Sequence, residues 1–86
     1  MEIRYSHIFQ KQYHKLPKKV QLQFDERLAL WLDDATDPRL RVHPLRGKYV
    51  SYWSMNVSGD VRALYLQHGD EVTIFALIGT HSSLYG

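Results

Sequence analysis

The second half of the chain contains three strand-like segments separated by two short turns, and this pattern constrains the fold most strongly. Residues 49–57, 61–67 and 71–78 are rich in aromatic and β-branched side chains. The turns Ser58-Gly59-Asp60 and His68-Gly69-Asp70 separate them. Because such short loops join neighbouring antiparallel strands, the sequence predicts a three-stranded antiparallel meander.

The first half has helical periodicity after a short alternating segment. Residues 2–5 alternate polar and apolar side chains and predict a strand. Ser6 is a suitable N-cap for a helix over residues 7–16, and Pro17 ends that helix and opens the next. The second helix is predicted over residues 18–35, because apolar residues recur three or four positions apart and form one stripe: Val20, Phe24, Leu28, Trp31 and Ala35.

These elements predict an α+β fold in the order β-α-α-β-β-β, with a helical hairpin packed on a small, mainly antiparallel sheet. With 86 residues the chain has room for a single domain, 1–86. Alternation along the last strand places Val72, Ile74, Ala76 and Ile78 on one side, and Phe75 and Leu77 on the other. Both sides are apolar, so we expect the helical hairpin to cover one and the C-terminal tail or another protein to cover the second.

Composition excludes several classes of site. The absence of cysteine rules out a disulfide scaffold, a thiolate zinc site and a cysteine nucleophile. None of the five histidines has the spacing of a metal site, so no metal or cofactor is expected. No stretch approaches the roughly 18 apolar residues of a membrane span. The N-terminus lacks the apolar core of a signal peptide, so we expect a cytoplasmic protein.

A local basic stretch suits contact with a phosphate backbone, although the net charge is only +2. It runs without an intervening acid through Arg39, Arg41, His43, Arg46 and Lys48. The same stretch also fits a solvated basic loop. Trp53 is a further candidate for RNA binding by base stacking, or an ordinary core aromatic.

His43 and His81 are the candidate proton-transfer residues, because each lies in an irregular segment beside a predicted sheet end. Two imidazoles near an arginine suit RNA cleavage by the ribose 2′-hydroxyl, in which one group takes a proton and another gives one. Alternation places Arg62 on the face opposite Ala63, where its partner is either a phosphate or the carboxylate of Asp60. Structural or surface histidines are the plain alternative.

Three motifs together resemble the RelE/ParE toxin superfamily, and most closely its YafQ-type branch. They are His43-Pro44-Leu45-Arg46-Gly47, the segment 59–65 (GDVRALY) and the terminal segment 79–86 (GTHSSLYG). The resemblance covers essentially the whole chain and implies a RelE-like fold. It also implies a type II toxin that cleaves mRNA without a metal, usually on the ribosome, to a 2′,3′-cyclic phosphate. A cognate antitoxin would bind and block it.

The resemblance assigns active-site positions to His43, His81, Asp60 and Tyr85, and matches Arg62 to the strand arginine of RelE-type members. The chain departs from the YafQ pattern at Ser54 and Asn56, where an Asp and a His can stand, and at Leu77, where an arginine can stand. Three alternatives therefore stay open. They are a ParE-like toxin that inhibits gyrase without nuclease chemistry, a degenerate domain that only binds its antitoxin, and a plain small α+β domain.

Overall fold

A five-stranded mixed sheet organises the computed structural model, which describes residues 1–85. The strand order is β1-β5-β4-β3-β2; β1 pairs parallel with β5, and the other neighbours are antiparallel. The predicted α+β order is confirmed, and the structure adds the two-residue strand β2 and the C-terminal helix α3. The elements are β1 (Glu2–Tyr5), α1 (His7–Lys15), α2 (Lys18–Asp33), β2 (His43–Pro44), β3 (Trp53–Ser58), β4 (Val61–His68), β5 (Val72–Thr80) and α3 (His81–Tyr85).

Ser6 fixes the start of α1 and ties it to the sheet. Its hydroxyl oxygen accepts from the backbone N–H of Phe9 at 2.9 Å, as an N-cap does, and its O–H donates to the carbonyl of Ala76 on β5 at 2.7 Å. The second helix ends at Asp33 rather than at the predicted residue 35. The Asp34 carboxylate accepts from the N–H of Thr36 at 3.0 Å, so the chain turns there and Ala35 is exposed.

The main core lies between the two long helices and the sheet, and Phe75 stands at its centre. Its ring centroid lies 5.5 Å from Phe24, 5.7 Å from Trp31 and 5.3 Å from Tyr65. Trp31 Nε1 donates to the Tyr65 hydroxyl at 3.2 Å, which satisfies both polar groups inside the core. Phe24 and Trp31 of the predicted stripe are buried, and Val20 and Leu28 pack against this core.

A β-bulge changes which side chains of β5 face the helices. Leu64 pairs with Leu77 but the next residue, Tyr65, pairs with Phe75, so Ala76 is an extra residue in β5. Phe75 and Ile78 consequently both lie in the helix-side core. The predicted strict alternation, which put these two residues on opposite sides, is wrong for this reason.

The opposite face of the sheet is covered by α3, as expected for the C-terminal tail. Leu84 of α3 and Leu64 on this face of β4 are both buried. The strand predicted from residue 49 begins only at Trp53, because residues 47–49 form a 3-10 turn and Ser51 has a φ of 82°. Within residues 1–85, no helix combines the length and apolar character that crossing a membrane requires.

Candidate active site

Three hydrogen bonds hold α3 at the end of the β4–β5 pair. The backbone N–H of His81 donates to the carbonyl of Asp60 at 3.1 Å, and that of Ser83 donates to Thr80 Oγ1 at 3.1 Å. The hydroxyl of Tyr49 donates to the carbonyl of Leu84 at 2.7 Å and so satisfies a carbonyl near the end of the helix. α3 therefore presents its side chains from a defined position although it is only five residues long.

Gly79 lets α3 approach the sheet closely. A β-carbon at this buried position would lie 2.6 Å from Ser83 Oγ, closer than real contacts allow. Leu84 is the next neighbour, at 3.5 Å, which is an ordinary packing distance. The glycine of the Gly-Thr-His motif thus leaves room for the Ser83 hydroxyl, which donates to the carbonyl of Thr80 at 3.0 Å.

His81 and Tyr85 lie side by side on α3, with ring centroids 4.6 Å apart. Burial raises the pKa of the Tyr85 phenol, while the Ser54 hydroxyl and the charge of Arg62 act in the opposite direction. The Ser54 hydroxyl therefore lies close to the Tyr85 phenol, and the strand register places Arg62 on the same face of the sheet as Ser54. The helix brings His81 and Tyr85 to the face that carries Ser54 and Arg62.

His43 reaches the same face from β2. It stands directly opposite Ser54 in the antiparallel register, and such partners point to one side of a sheet. Its Nδ1 lies 2.8 Å from the carbonyl oxygen of Arg41. Because a carbonyl can only accept, neutral His43 carries its proton on Nδ1 and leaves the Nε2 lone pair free. The exposed imidazole is therefore set up to take a proton at Nε2.

Arg62 lies on the same face of the sheet as Ser54, opposite Asn56 on β3 and Gly79 on β5. Its Nη1 donates to the carbonyl of Gly59 at 2.8 Å, and no carboxylate of residues 1–85 lies within ion-pairing distance. The alternative of a salt bridge with Asp60 is not what the structure shows. Asp60 contributes its backbone carbonyl to the start of α3 instead.

The other predicted RNA-binding residues are placed differently. Trp53 pairs with Tyr65 and so lies on the helix side of the sheet, away from Tyr85. Arg39 forms an ion pair with Asp37 at 2.8 Å, and its hydrogen bonds lower the pKa of Asp37 to about 2. Arg46 precedes the 3-10 turn of residues 47–49 and Lys48 lies within it; both are exposed. Lys48 Nζ lies 5.3 Å from the Tyr49 ring centroid.

The family positions that this chain lacks lie on the α3 side. Ser54 is buried beside Tyr85, and Leu77 pairs with Leu64. Sequence reasoning missed Tyr49, which holds α3 from a segment interpreted as strand. It named Arg41 as an RNA contact but missed the role of its backbone carbonyl, which fixes the His43 tautomer from a left-handed residue with φ 49°. A non-glycine residue with positive φ leaves no clear sequence signal.

Solved structures of bacterial toxins share this architecture. YafQ from E. coli strain BL21(DE3) is similar with a TM-score of 0.84 and 22% identity, covering 99% of this chain and 98% of that chain. A YoeB/ParE toxin from Agrobacterium tumefaciens has a TM-score of 0.77 and 13% identity, covering 94% and 99%. A scan against protein-family models found no match, and no curated protein matched significantly.

A further similar structure is that of a YafQ chain solved in a complex. The chain matches the E. coli DinJ-YafQ toxin-antitoxin complex with a TM-score of 0.80 and 24% identity, covering 99% of this chain and 97% of that one. The resemblance drawn from the three motifs is confirmed at the level of the fold. The chain has the fold of the YafQ and YoeB/ParE toxins.

Proposed function

We propose that this chain is the toxin of a bacterial type II toxin–antitoxin system and that it is an endoribonuclease that cleaves mRNA without a metal ion. The supporting observation is the arrangement on the α3 face. A histidine with a free Nε2, a second histidine and an arginine without a carboxylate partner in the described residues share one surface. These are the groups that phosphodiester cleavage by an internal hydroxyl needs.

His43 acts as general base in this proposal because its Nδ1–H is held by the carbonyl of Arg41. Nε2 takes the proton of the ribose 2′-hydroxyl while the 2′-oxygen attacks the adjacent phosphorus. The bond from phosphorus to the 5′-oxygen breaks, and His81 gives that oxygen a proton. The products are a 2′,3′-cyclic phosphate and a free 5′-hydroxyl.

Arg62 stabilises the negative charge that develops on the phosphate oxygens, helped by Arg46 or Lys48. A planar guanidinium suits this task because its fork can donate to two oxygens at once. Tyr85 is 36% exposed beside His81, so its ring can stack on a base next to the scissile bond. Asp60 serves the site through the backbone that begins α3.

A cognate antitoxin is the proposed protein partner, and the toxin-antitoxin complex of the similar YafQ structure supports it. Dependence on the ribosome and a cytoplasmic location belong to the same proposal. A small, exposed site that grips few atoms of its substrate would benefit from a ribosome that holds the message in place. Comparing cleavage of one purified message with and without ribosomes tests the dependence on the ribosome.

The decisive experiment compares wild type with His81→Ala. We expect the wild-type protein to produce new RNA 5′ ends inside translated frames after induction, and His81→Ala to lower cleavage about 10²–10⁴-fold, the usual contribution of a positioned acid or base. Circular dichroism of both proteins controls for folding. Intact message with inhibited DNA supercoiling would favour a ParE-like toxin. Intact message and normal supercoiling would favour a domain that only binds its antitoxin.

A further inference from the structure

A pocket of about 530 Å³ opens at the edge of the sheet, next to the candidate active site. It lies where β3 continues past the short β2, which pairs only with Trp53 and Ser54. We call it the arginine pocket, and it is lined by Arg27, Pro38, Arg39, Arg41, Asn56 and Gly59.

Arg27 reaches this pocket from α2 and is held in position. Its Nε donates to the carbonyl of Val57 at 3.3 Å, across the edge of the sheet. Its terminal nitrogens make no hydrogen bond or ion pair within residues 1–85. The guanidinium therefore has donors available for a ligand while its stem is already ordered.

The pocket carries an excess of positive charge. Of its three arginines only Arg39 has a carboxylate partner among the described residues, namely Asp37. Arg41 is held in a left-handed conformation that directs its carbonyl to His43. The chain adopts this uncommon backbone at the point where the pocket meets the candidate general base.

Asn56 connects the pocket to Arg62. The two residues are partners in the β3–β4 register, and both side chains donate to the carbonyl of Gly59, at 3.4 and 2.8 Å. An RNA backbone that places one phosphate at Arg62 thus finds a second cationic position, the arginine pocket, for a neighbouring phosphate. Arginine is suited to this because its fork binds phosphate oxygens in pairs.

We infer that the arginine pocket binds a backbone phosphate of the RNA, next to the phosphate held by Arg62, through Arg27 and Arg41. This inference rests on the proposed function and adds Arg27, on α2, to the RNA contacts. Contacts of this kind fix the register of a nucleic acid without reading its sequence. The pocket would therefore decide how the strand is laid across the two histidines.

The test measures the affinity of a short fluorescent single-stranded RNA at several salt concentrations, in the His81→Ala background so that the RNA stays intact. Arg27→Gln should weaken binding about tenfold, as expected for one lost charge-assisted contact. It should also reduce the slope of log affinity against log salt by about 0.7, the share of one phosphate on a single strand. The matched control is Lys19→Gln, which removes one charge from an exposed position on the same helix.

A second variant covers the possibility that Arg27→Gln does not fold. Arg41→Asn removes a charge from the pocket, and asparagine tolerates the left-handed backbone. The inference is overturned if the folded pocket variants bind RNA like Lys19→Gln, or if they weaken only the antitoxin complex. If no RNA binds even to the parent at low salt, the proposed function itself fails, and that result differs from a failure of the pocket alone.

Discussion

The two faces of the sheet differ in how extensively they are covered. On the helix face, one aromatic core under two helices contains Phe9, Phe24, Trp31 and Phe75. The other face is covered by the five residues of α3, and its polar groups stay partly exposed. The first face has large buried area to stabilise the fold, and the second has little.

This difference separates stability from chemistry. Every residue to which we assign a direct chemical step lies on the thinly covered face or at its rim. Its geometry depends on a few hydrogen bonds and one glycine contact rather than on extensive packing. We therefore expect substitutions on the helix face to act on the free energy of unfolding, and substitutions on the α3 face to act mainly on cleavage.

The largest effect is expected for Phe75→Ala. Removing this buried ring leaves a cavity among five aromatic neighbours and should lower the free energy of unfolding by about 3–5 kcal/mol. Chemical denaturation monitored by tryptophan fluorescence measures the loss. For a domain of this size that change is a large part of the total stability. A Phe75→Ala protein as stable as wild type would contradict the assignment of the core to this face.

Arg62→Leu should distinguish most clearly an effect on cleavage from an effect on stability. We expect cleavage to fall about 10²–10³-fold, the cost of removing one preorganised donor to a developing negative charge. Arg62→Lys should retain part of the activity, because it keeps the charge and loses the fork. Melting temperatures of both variants serve as controls. If Arg62→Leu unfolds the domain, Arg62 has a structural role that its present contacts do not suggest.

Gly79→Ala tests how closely α3 must approach the sheet. The added methyl group would collide with Ser83 Oγ, and overpacking of this kind costs about 1–3 kcal/mol. We expect α3 to shift, with loss of cleavage exceeding the loss of global stability. Ser83→Ala in the same chain removes the colliding atom and should restore part of the activity. A double variant no better than Gly79→Ala would argue against this contact as the cause.

Tyr49→Phe should have the smallest effect. It removes only the hydrogen bond to the Leu84 carbonyl, which contributes about 0.5–1.5 kcal/mol. Because that bond holds α3, amide exchange of the helix should accelerate while exchange in α2 stays unchanged. Tyr52→Phe is the matched control, since Tyr52 contacts the Tyr49 ring edge-on and its hydroxyl makes no hydrogen bond within residues 1–85.

The fold was largely predictable because its main elements carry periodic signals. The stripe through Phe24 and Trp31 identified the face of α2 that is buried, and short turns identified the meander. Three features could not be read from periodicity. The bulge at Ala76 breaks alternation, Tyr49 belongs to a turn despite its strand propensity, and α3 is too short to show a helical repeat.

The candidate site was predictable in part, for a different reason. Motif positions pointed to His43, His81 and Arg62, and the structure brings them to one face. Their surroundings depend on contacts between distant segments, such as the Tyr49 bond to α3. The tautomer of His43 depends on the backbone conformation of Arg41, which side-chain patterns do not report. The arginine pocket likewise joins α2 to the turn after β3.

The parallel pairing of β1 with β5 has a consequence for how the protein is made. The Ser6 hydroxyl bonds to the Ala76 carbonyl across 70 residues, so the first strand and first helix find their partners only when β5 has been synthesised. Contacts this far apart in sequence raise the contact order and slow folding. Translation therefore produces almost the whole domain before the sheet can close. The five residues of α3, which carry His81 and Tyr85, follow β5 directly, so the nascent chain acquires its candidate catalytic surface only at the end of this process.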